Sequence, residues 1–164
     1  YPGVLLHSLS LFSFPRQLSL CEFRIGELEF ERIKTPEGPV ISLHIPSDAK
    51  LEPKLLRNSV RQMERLFLLH YTDFYLAPVM CESWMLSPAL QELLPEQSRL
   101  RQFQSCFEIQ SVDWDSDAVL DWVFPGPKAP YEQLAETTSL QRAMKQYLLE
   151  GKKIGWAKGT LKGF

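Results

Sequence analysis

Two residues of this chain have the type and position to move a proton. Glu82 follows an apolar run, residues 75–81, that has the length and composition of a buried strand. A carboxylate at such a strand end works as a general base if burial raises its pKa. Solvated carboxylates are commoner, so a surface or capping glutamate is the competing assignment. His44 lies in Leu43-His44-Ile45-Pro46, at the end of another strand. Its side chain faces away from Leu43 and Ile45, towards a cleft, and imidazole titrates usefully near neutral pH. Here the competing assignment is a hydrogen-bonded structural histidine, because no companion carboxylate is fixed near it. Cys81 stands beside Glu82, but no partner base follows from spacing, and a buried structural thiol is the simpler role.

The start of the last helix is the best candidate for holding an anion. Thr138 and Gln141 sit three apart, so the hydroxyl can accept a backbone N–H while the amide reaches back. The N–H groups from Ser139 onward, with Arg142 in the first turn, suit a phosphate or carboxylate. A self-satisfied cap, with Arg142 paired to Glu136 or Asp121, is an equal alternative. Trp84, Phe103 and Trp122 could line an apolar pocket, although aromatics in a domain of this size are mostly core. Gln104 and Gln141 are polar in apolar stretches, and each suits holding an irregular backbone segment.

These side chains must be positioned by a mixture of strands and helices. Glu27-Leu28-Glu29-Phe30-Glu31 alternates with period two, Thr35-Pro36-Glu37-Gly38 carries turn chemistry, and residues 40–45 form the return strand. Leu56, Val60, Met63 and Phe67 recur at helical spacing after Pro53, which predicts a long amphipathic helix. Pro78 within the run 75–81 favours an edge, a bulge or a strand end. Before the hairpin, residues 16–25 put Leu18, Cys21 and Ile25 on one helical side with Gly26 as a stop, and helix is preferred to strand there. Later segments predict a short helix from Ser87-Pro88 through Leu94 and a strand over residues 103–112. Ser116 caps a helix carrying Val119, Leu120 and Val123, and Phe124-Pro125-Gly126-Pro127 breaks it. The final helix carries Leu140, Ala143, Met144, Tyr147 and Leu148, stops at Gly151 and is followed by a terminal strand over residues 154–161. Irregular alternation with an early antiparallel hairpin argues for an α+β, or mixed α/β, fold layered around one sheet.

Composition narrows the functional classes. The chain has 164 residues, enough for one sizeable core. With 18 basic and 20 acidic residues the net charge is −2, and no basic stripe interleaves with aromatics, so nucleic acid is not an expected partner. The longest apolar runs are too short to span a bilayer. Cys21, Cys81 and Cys106 are widely spaced and form no cluster with His7, His44 or His70. No metal site is expected, and reduced thiols in a cytoplasmic protein are the simplest reading. The chain opens at Tyr1, and its apolar residues 4–14 lack a charged flank and a cleavage site. Residues 1–15 are therefore read as a remnant of an upstream segment, exposing an apolar patch on the isolated piece, and 16–164 as one domain.

Six motifs in order carry a resemblance. They are Phe23-Arg24-Ile25-Gly26-Glu27-Leu28-Glu29-Phe30, Leu43-His44-Ile45-Pro46 and Cys81-Glu82-Ser83-Trp84-Met85-Leu86-Ser87-Pro88. The run from Ser98 to Phe107, Trp122-Val123-Phe124 and Thr138-Ser139-Leu140-Gln141-Arg142 complete the set. Over residues 16–161 they resemble the C-terminal, GNAT-like domain of two-domain bacterial acyltransferases. The resemblance implies a mixed, mostly antiparallel sheet flanked by helices. It also implies transfer of an acyl group from acetyl-CoA or a longer acyl-CoA to an amine by direct attack. In that setting Glu82 or His44 would be the base, Ser139 and Arg142 would meet the cofactor, and an N-terminal domain would be the partner. The acceptor would be a small molecule. GNAT enzymes commonly announce their pyrophosphate site by Q/R-x-x-G-x-G/A, which this sequence does not contain. A non-catalytic GNAT-fold domain that binds its companion or a small ligand is the alternative.

Overall fold

The computed structural model describes residues 21–164. Six strands form one sheet: β1 (Glu22–Ile25), β2 (Leu28–Thr35), β3 (Gly38–His44), β4 (Val79–Ser83), β5 (Phe107–Asp113) and β6 (Trp156–Leu161), in spatial order β1-β2-β3-β4-β6-β5. Every neighbouring pair is antiparallel except β3 and β4. A parallel pair needs a crossover, and α1 (Pro53–His70) supplies it. This is the expected α+β architecture, a mostly antiparallel mixed sheet with helices packed on it.

The register follows the alternation of apolar residues. Phe30 opposes Leu43 and Cys81 stands next to Leu43 across the parallel pair, so these side chains share one face. Helix α1 covers that face with Leu56, Met63 and Phe67, all buried. Full burial of each such side chain contributes roughly 2 kcal/mol. A second apolar cluster lies at the carboxyl end of β4 and the amino end of β6. Trp84, Leu90, Val119, Val123, Met144 and Ile154 build it. They come from the segment after β4, from α2 (Leu90–Leu93), α4 (Ala118–Val123) and α5 (Ser139–Leu149), and from the approach to β6. Gly151, in the left-handed region at φ 76°, ends α5 as the pattern of residue types required.

Two expectations are corrected. The helix expected over residues 16–25 is not found at its described end. Glu22–Ile25 is a strand whose Phe23 opposes Phe30 and whose Ile25 opposes Leu28, and residues 16–20 lie outside the described residues, as does the segment 1–15. Sheet pairing outweighs the weak helical spacing there. Gly26 is a hairpin turn residue at φ 61°, and any Cβ would collide with the Ser59 hydroxyl of α1. The strand predicted over 103–112 also begins later. Helix α3 (Arg99–Ser105) buries Phe103 and Gln104, and only from Phe107 does the chain join β6. Pro78 ends up just before β4, where its carbonyl accepts the N–H of Ile41 at 3.0 Å and its missing N–H costs no ladder bond.

Candidate functional site

The parallel pair is short. Its ladder runs from Ile41–Val79 to Leu43–Cys81 and stops, while β4 continues along β6 to Ser83, opposite Ala157. Beyond Cys81 the backbone edge of β4 that faces β3 therefore has no strand partner among the described residues. The two chains part there because Pro46 follows β3 two residues after His44, whereas β4 turns into a single 3-10 turn at Trp84–Leu86. The result is a cleft at the carboxyl ends of adjacent parallel strands, the place where open sheets with mixed connections bind ligands.

Leu43, His44 and Ile45 form one wall of the cleft, residues 81–85 the other, and Trp122 and Trp156 close its sides. The cavity measures about 160 Å³. An apolar cavity of about 150 Å³ holds a benzene ring, so this one suits a reacting centre and its nearest atoms, not a whole ligand. A larger hollow of about 580 Å³ lies at the opposite, amino ends of the same strands, between the β2–β3 turn and residues 72–78. Its carboxylates, Glu37 and Asp73, are exposed, and Asp73 pairs with Lys34 at 3.2 Å.

His44 and Glu82, distant in sequence, thus face one cleft. Their settings differ. Glu82 is 58% exposed, and Lys158 from β6 places its ammonium 2.9 Å from Oε1. His44 offers Nε2 to Glu31 Oε2 at 3.1 Å, and the Glu31 side chain is only 11% exposed. Glu29 lies directly opposite His44 in the hairpin, and Glu22 directly opposite Glu31. Burial pushes the Glu29 carboxyl above the usual range, and the neighbouring Glu22 charge adds to this. Arg24 and His44 act against the rise. Glu31 is the site residue that sequence reasoning missed. The alternation of glutamates in β2 was visible, but pairing it with His44 required the hairpin register.

Cys81 is buried at 1% exposure, and burial pushes its thiol up to about 12, with the Glu82 charge adding to the effect. A thiol held protonated is no nucleophile near neutral pH. Cys81 packs the floor between sheet and α1.

The glutamines hold backbone. Gln104 donates from Nε2 to the Leu86 carbonyl at 3.0 Å and the Ser87 carbonyl at 2.5 Å, which secures the turn after β4. Ser83 begins the same turn by accepting the Met85 N–H at 3.1 Å. Ser87 ties it to the approach to β6 through a hydrogen bond from its hydroxyl to the Ile154 carbonyl. Gln141 accepts the N–H groups of Thr137 and Thr138 at 3.0 and 3.1 Å and donates to the Val123 carbonyl at 2.8 Å.

Ser139 and Arg142 do not line the cleft. Thr138 and Gln141 complete the capping box, with Gln141 N–H donating to Thr138 Oγ1 at 3.1 Å. Arg142 donates to the Glu136 carbonyl at 2.8 Å, and the Glu136 carboxylate goes to Lys145. An anion at this helix start would have to displace those contacts. Of the three aromatics expected at a pocket, Trp84 and Trp122 reach the cleft. Phe103 instead stacks in the core, 5.0 Å from Phe107. Among the described residues, no group of His, Cys, Asp and Glu could hold a metal ion, and no helix is long and apolar enough to cross a membrane.

The mixed sheet thus opens at its one parallel pair, with His44 on one wall of the opening and Glu82 on the other. The chain belongs to the family described as GNAT-like C-terminal domain, whose model matches residues 23–161. Solved structures agree. A crystal structure of an acyltransferase in complex with decanoyl-CoA and teicoplanin superposes with a TM-score of 0.82 at 25% identity, over 92% of this chain and 49% of that one. Another, in complex with decanoyl-CoA, gives 0.77 at 27% identity over 87% and 46%. A mutant acyltransferase in complex with octanoyl-CoA gives 0.80 at 25% over 91% and 49%. This chain therefore spans about half the length of those acyltransferases. None of the curated proteins compared with it matches.

Proposed function

We propose that this domain transfers an acyl group from an acyl-CoA to an amine, with His44 as the general base. The observation that carries the reading is the cleft opened where the β3–β4 ladder stops, with His44 on its wall. In the reaction, the amine nitrogen attacks the thioester carbonyl of the acyl-CoA. The N–C bond forms, the C–S bond breaks, and CoA leaves as a thiol. His44 takes the proton released by the nitrogen and passes it to the departing sulfur, which returns the imidazole to its neutral form. Glu82 fits that task less well, being exposed and bound to Lys158. The unpaired backbone edge of β4 beyond Cys81 suits a ligand that carries amide groups, and the indoles of Trp84, Trp122 and Trp156 suit apolar or ring-bearing substituents. Related structures hold octanoyl- and decanoyl-CoA, which supports a chain of medium length, and one holds a glycopeptide, which supports an amine on a glycosylated acceptor. Because those acyltransferases are about twice as long, we further propose an N-terminal companion domain.

A second reading, binding without catalysis, is favoured by the missing Q/R-x-x-G-x-G/A motif. Isothermal titration of the full chain with acetyl-, octanoyl- and decanoyl-CoA, followed by CoA-thiol release in the presence of teicoplanin, separates the two. Turnover should fall about 10²–10⁴-fold in His44→Ala and only a few-fold in Glu82→Gln. Absence of acyl-CoA binding at every chain length sinks the enzyme reading. Binding without thiol release supports the second.

A further inference from the structure

An imidazole can act as a base through either ring nitrogen, and which one is available depends on what holds the other. In this fold a carboxylate holds Nε2. Glu31 Oε2 lies 3.1 Å away, from the diagonal position on β2, and an ionised carboxylate can only accept a hydrogen bond. Nε2 then carries the proton and the lone pair resides on Nδ1. The two nitrogens of the ring point in nearly opposite directions. Glu31 approaches from β2, on one side of β3, while the cleft opens towards β4, on the other. Nδ1 has no hydrogen-bond partner among the described residues, and His44 itself lines the cleft.

We propose that Glu31 is a positioning residue for acyl transfer, fixing His44 in the Nε2–H tautomer so that Nδ1 receives the proton of the attacking nitrogen. The inference rests on His44 being the base, and it adds the atom that does the work and the group that holds it there. It also accounts for the burial of Glu31. A carboxylate with its side chain 11% exposed holds one geometry, whereas His44, at 44%, remains open to a ligand. When Nδ1 takes its proton the ring becomes an imidazolium, and Glu31 stabilises that charge at close range. The other charged groups around the ring are Glu29 opposite it, Glu22 beside Glu31, Arg24 ion-paired to Glu29 at 3.7 Å, and Glu82 with Lys158 across the cleft. Among the described residues, only Glu31 touches a ring nitrogen.

The test uses the full chain with decanoyl-CoA and teicoplanin as probes, and compares Glu31→Gln and Glu31→Asp with His44→Ala. Glu31→Gln preserves volume while removing the charge and offering a competing donor. It should lower kcat about 100-fold or more with the KM for decanoyl-CoA unchanged. The acid limb of its pH–rate profile should move to lower pH. Glu31→Asp, which keeps the charge one methylene further back, should recover part of the rate. Nitrogen-15 spectra of the histidines provide a readout that needs no turnover. His44 should report an Nε2–H tautomer in the parent protein and a mixture in Glu31→Gln. An Nδ1–H tautomer in the parent, or a Glu31→Gln profile that overlays the parent's, overturns the proposal. Full activity in His44→Ala overturns instead the reading on which it rests.

Discussion

Replacing Gln104 with Met should cost about 2–3 kcal/mol of stability, because one side chain holds the turn that shapes the cleft. Gln104 is 5% exposed and donates to the carbonyls of Leu86 and Ser87. In the methionine variant the Leu86 carbonyl loses its side-chain donor in a dry interior, at about 1–3 kcal/mol. The Ser87 carbonyl keeps the N–H of Leu90 at 3.1 Å, so its loss is one net hydrogen bond, about 1 kcal/mol. A thioether of nearly the same length refills the space and returns up to about 1 kcal/mol as apolar burial. The balance corresponds to a fall of roughly 5–10 °C in Tm. Urea denaturation with a parallel thermal melt measures both. Gln102→Met on the same helix is the control, because Gln102 is exposed and, among the described residues, its side chain bonds only to the Gln97 carbonyl at 3.2 Å. It should stay within about 0.5 kcal/mol of the parent. A Gln104→Met loss below about 1 kcal/mol, or one equal to the control, would refute the assignment of that amide to the turn.

Two further perturbations test the frame around the site. Burial holds the Cys81 thiol up to about 12, so the folded state keeps a proton that the unfolded state releases. Stability should therefore fall as pH rises from about 9 towards 12, and Cys81→Ala should flatten that fall in urea titrations between pH 8 and 10. An identical alkaline slope in both proteins would show that the thiol is not the source. Gly26→Ala combines a left-handed backbone with a collision against Ser59, and about 2 kcal/mol should be lost. Part of that loss should vanish in a Ser59→Ala background, and a purely additive double mutant would argue against the contact.

Elements with a long, unambiguous period were readable without coordinates. The Leu28–Thr35 and Gly38–His44 hairpin, the face of α1 formed by Leu56, Met63 and Phe67, and the Thr138–Gln141 capping box each follow from residues within a few turns of one another. Glu22–Ile25 and residues 103–105 of the helix Arg99–Ser105 were misassigned because each of these elements is seven residues or fewer. Segments that short take their conformation from whatever they pair with or pack on.

The candidate site divides in the same way. Residue type and position were enough to mark His44 and Glu82 as candidates for proton transfer and to place each at the end of a strand. They were enough, too, to give Gln104 and Gln141 the role of holding backbone. That His44 and Glu82 face one cleft depends on β3 and β4 lying side by side with α1 between them in sequence, and on their ladder stopping at Leu43 and Cys81. The proposal of His44 over Glu82 as the base rests on the register of β2 against β3, which puts Glu31 on the imidazole, and on β6, which puts Lys158 on Glu82. The physical reason is one of range. Periodicity and caps are fixed by interactions within a few residues, whereas the protonation state and reach of a side chain depend on charges brought to it by strands far away in the chain.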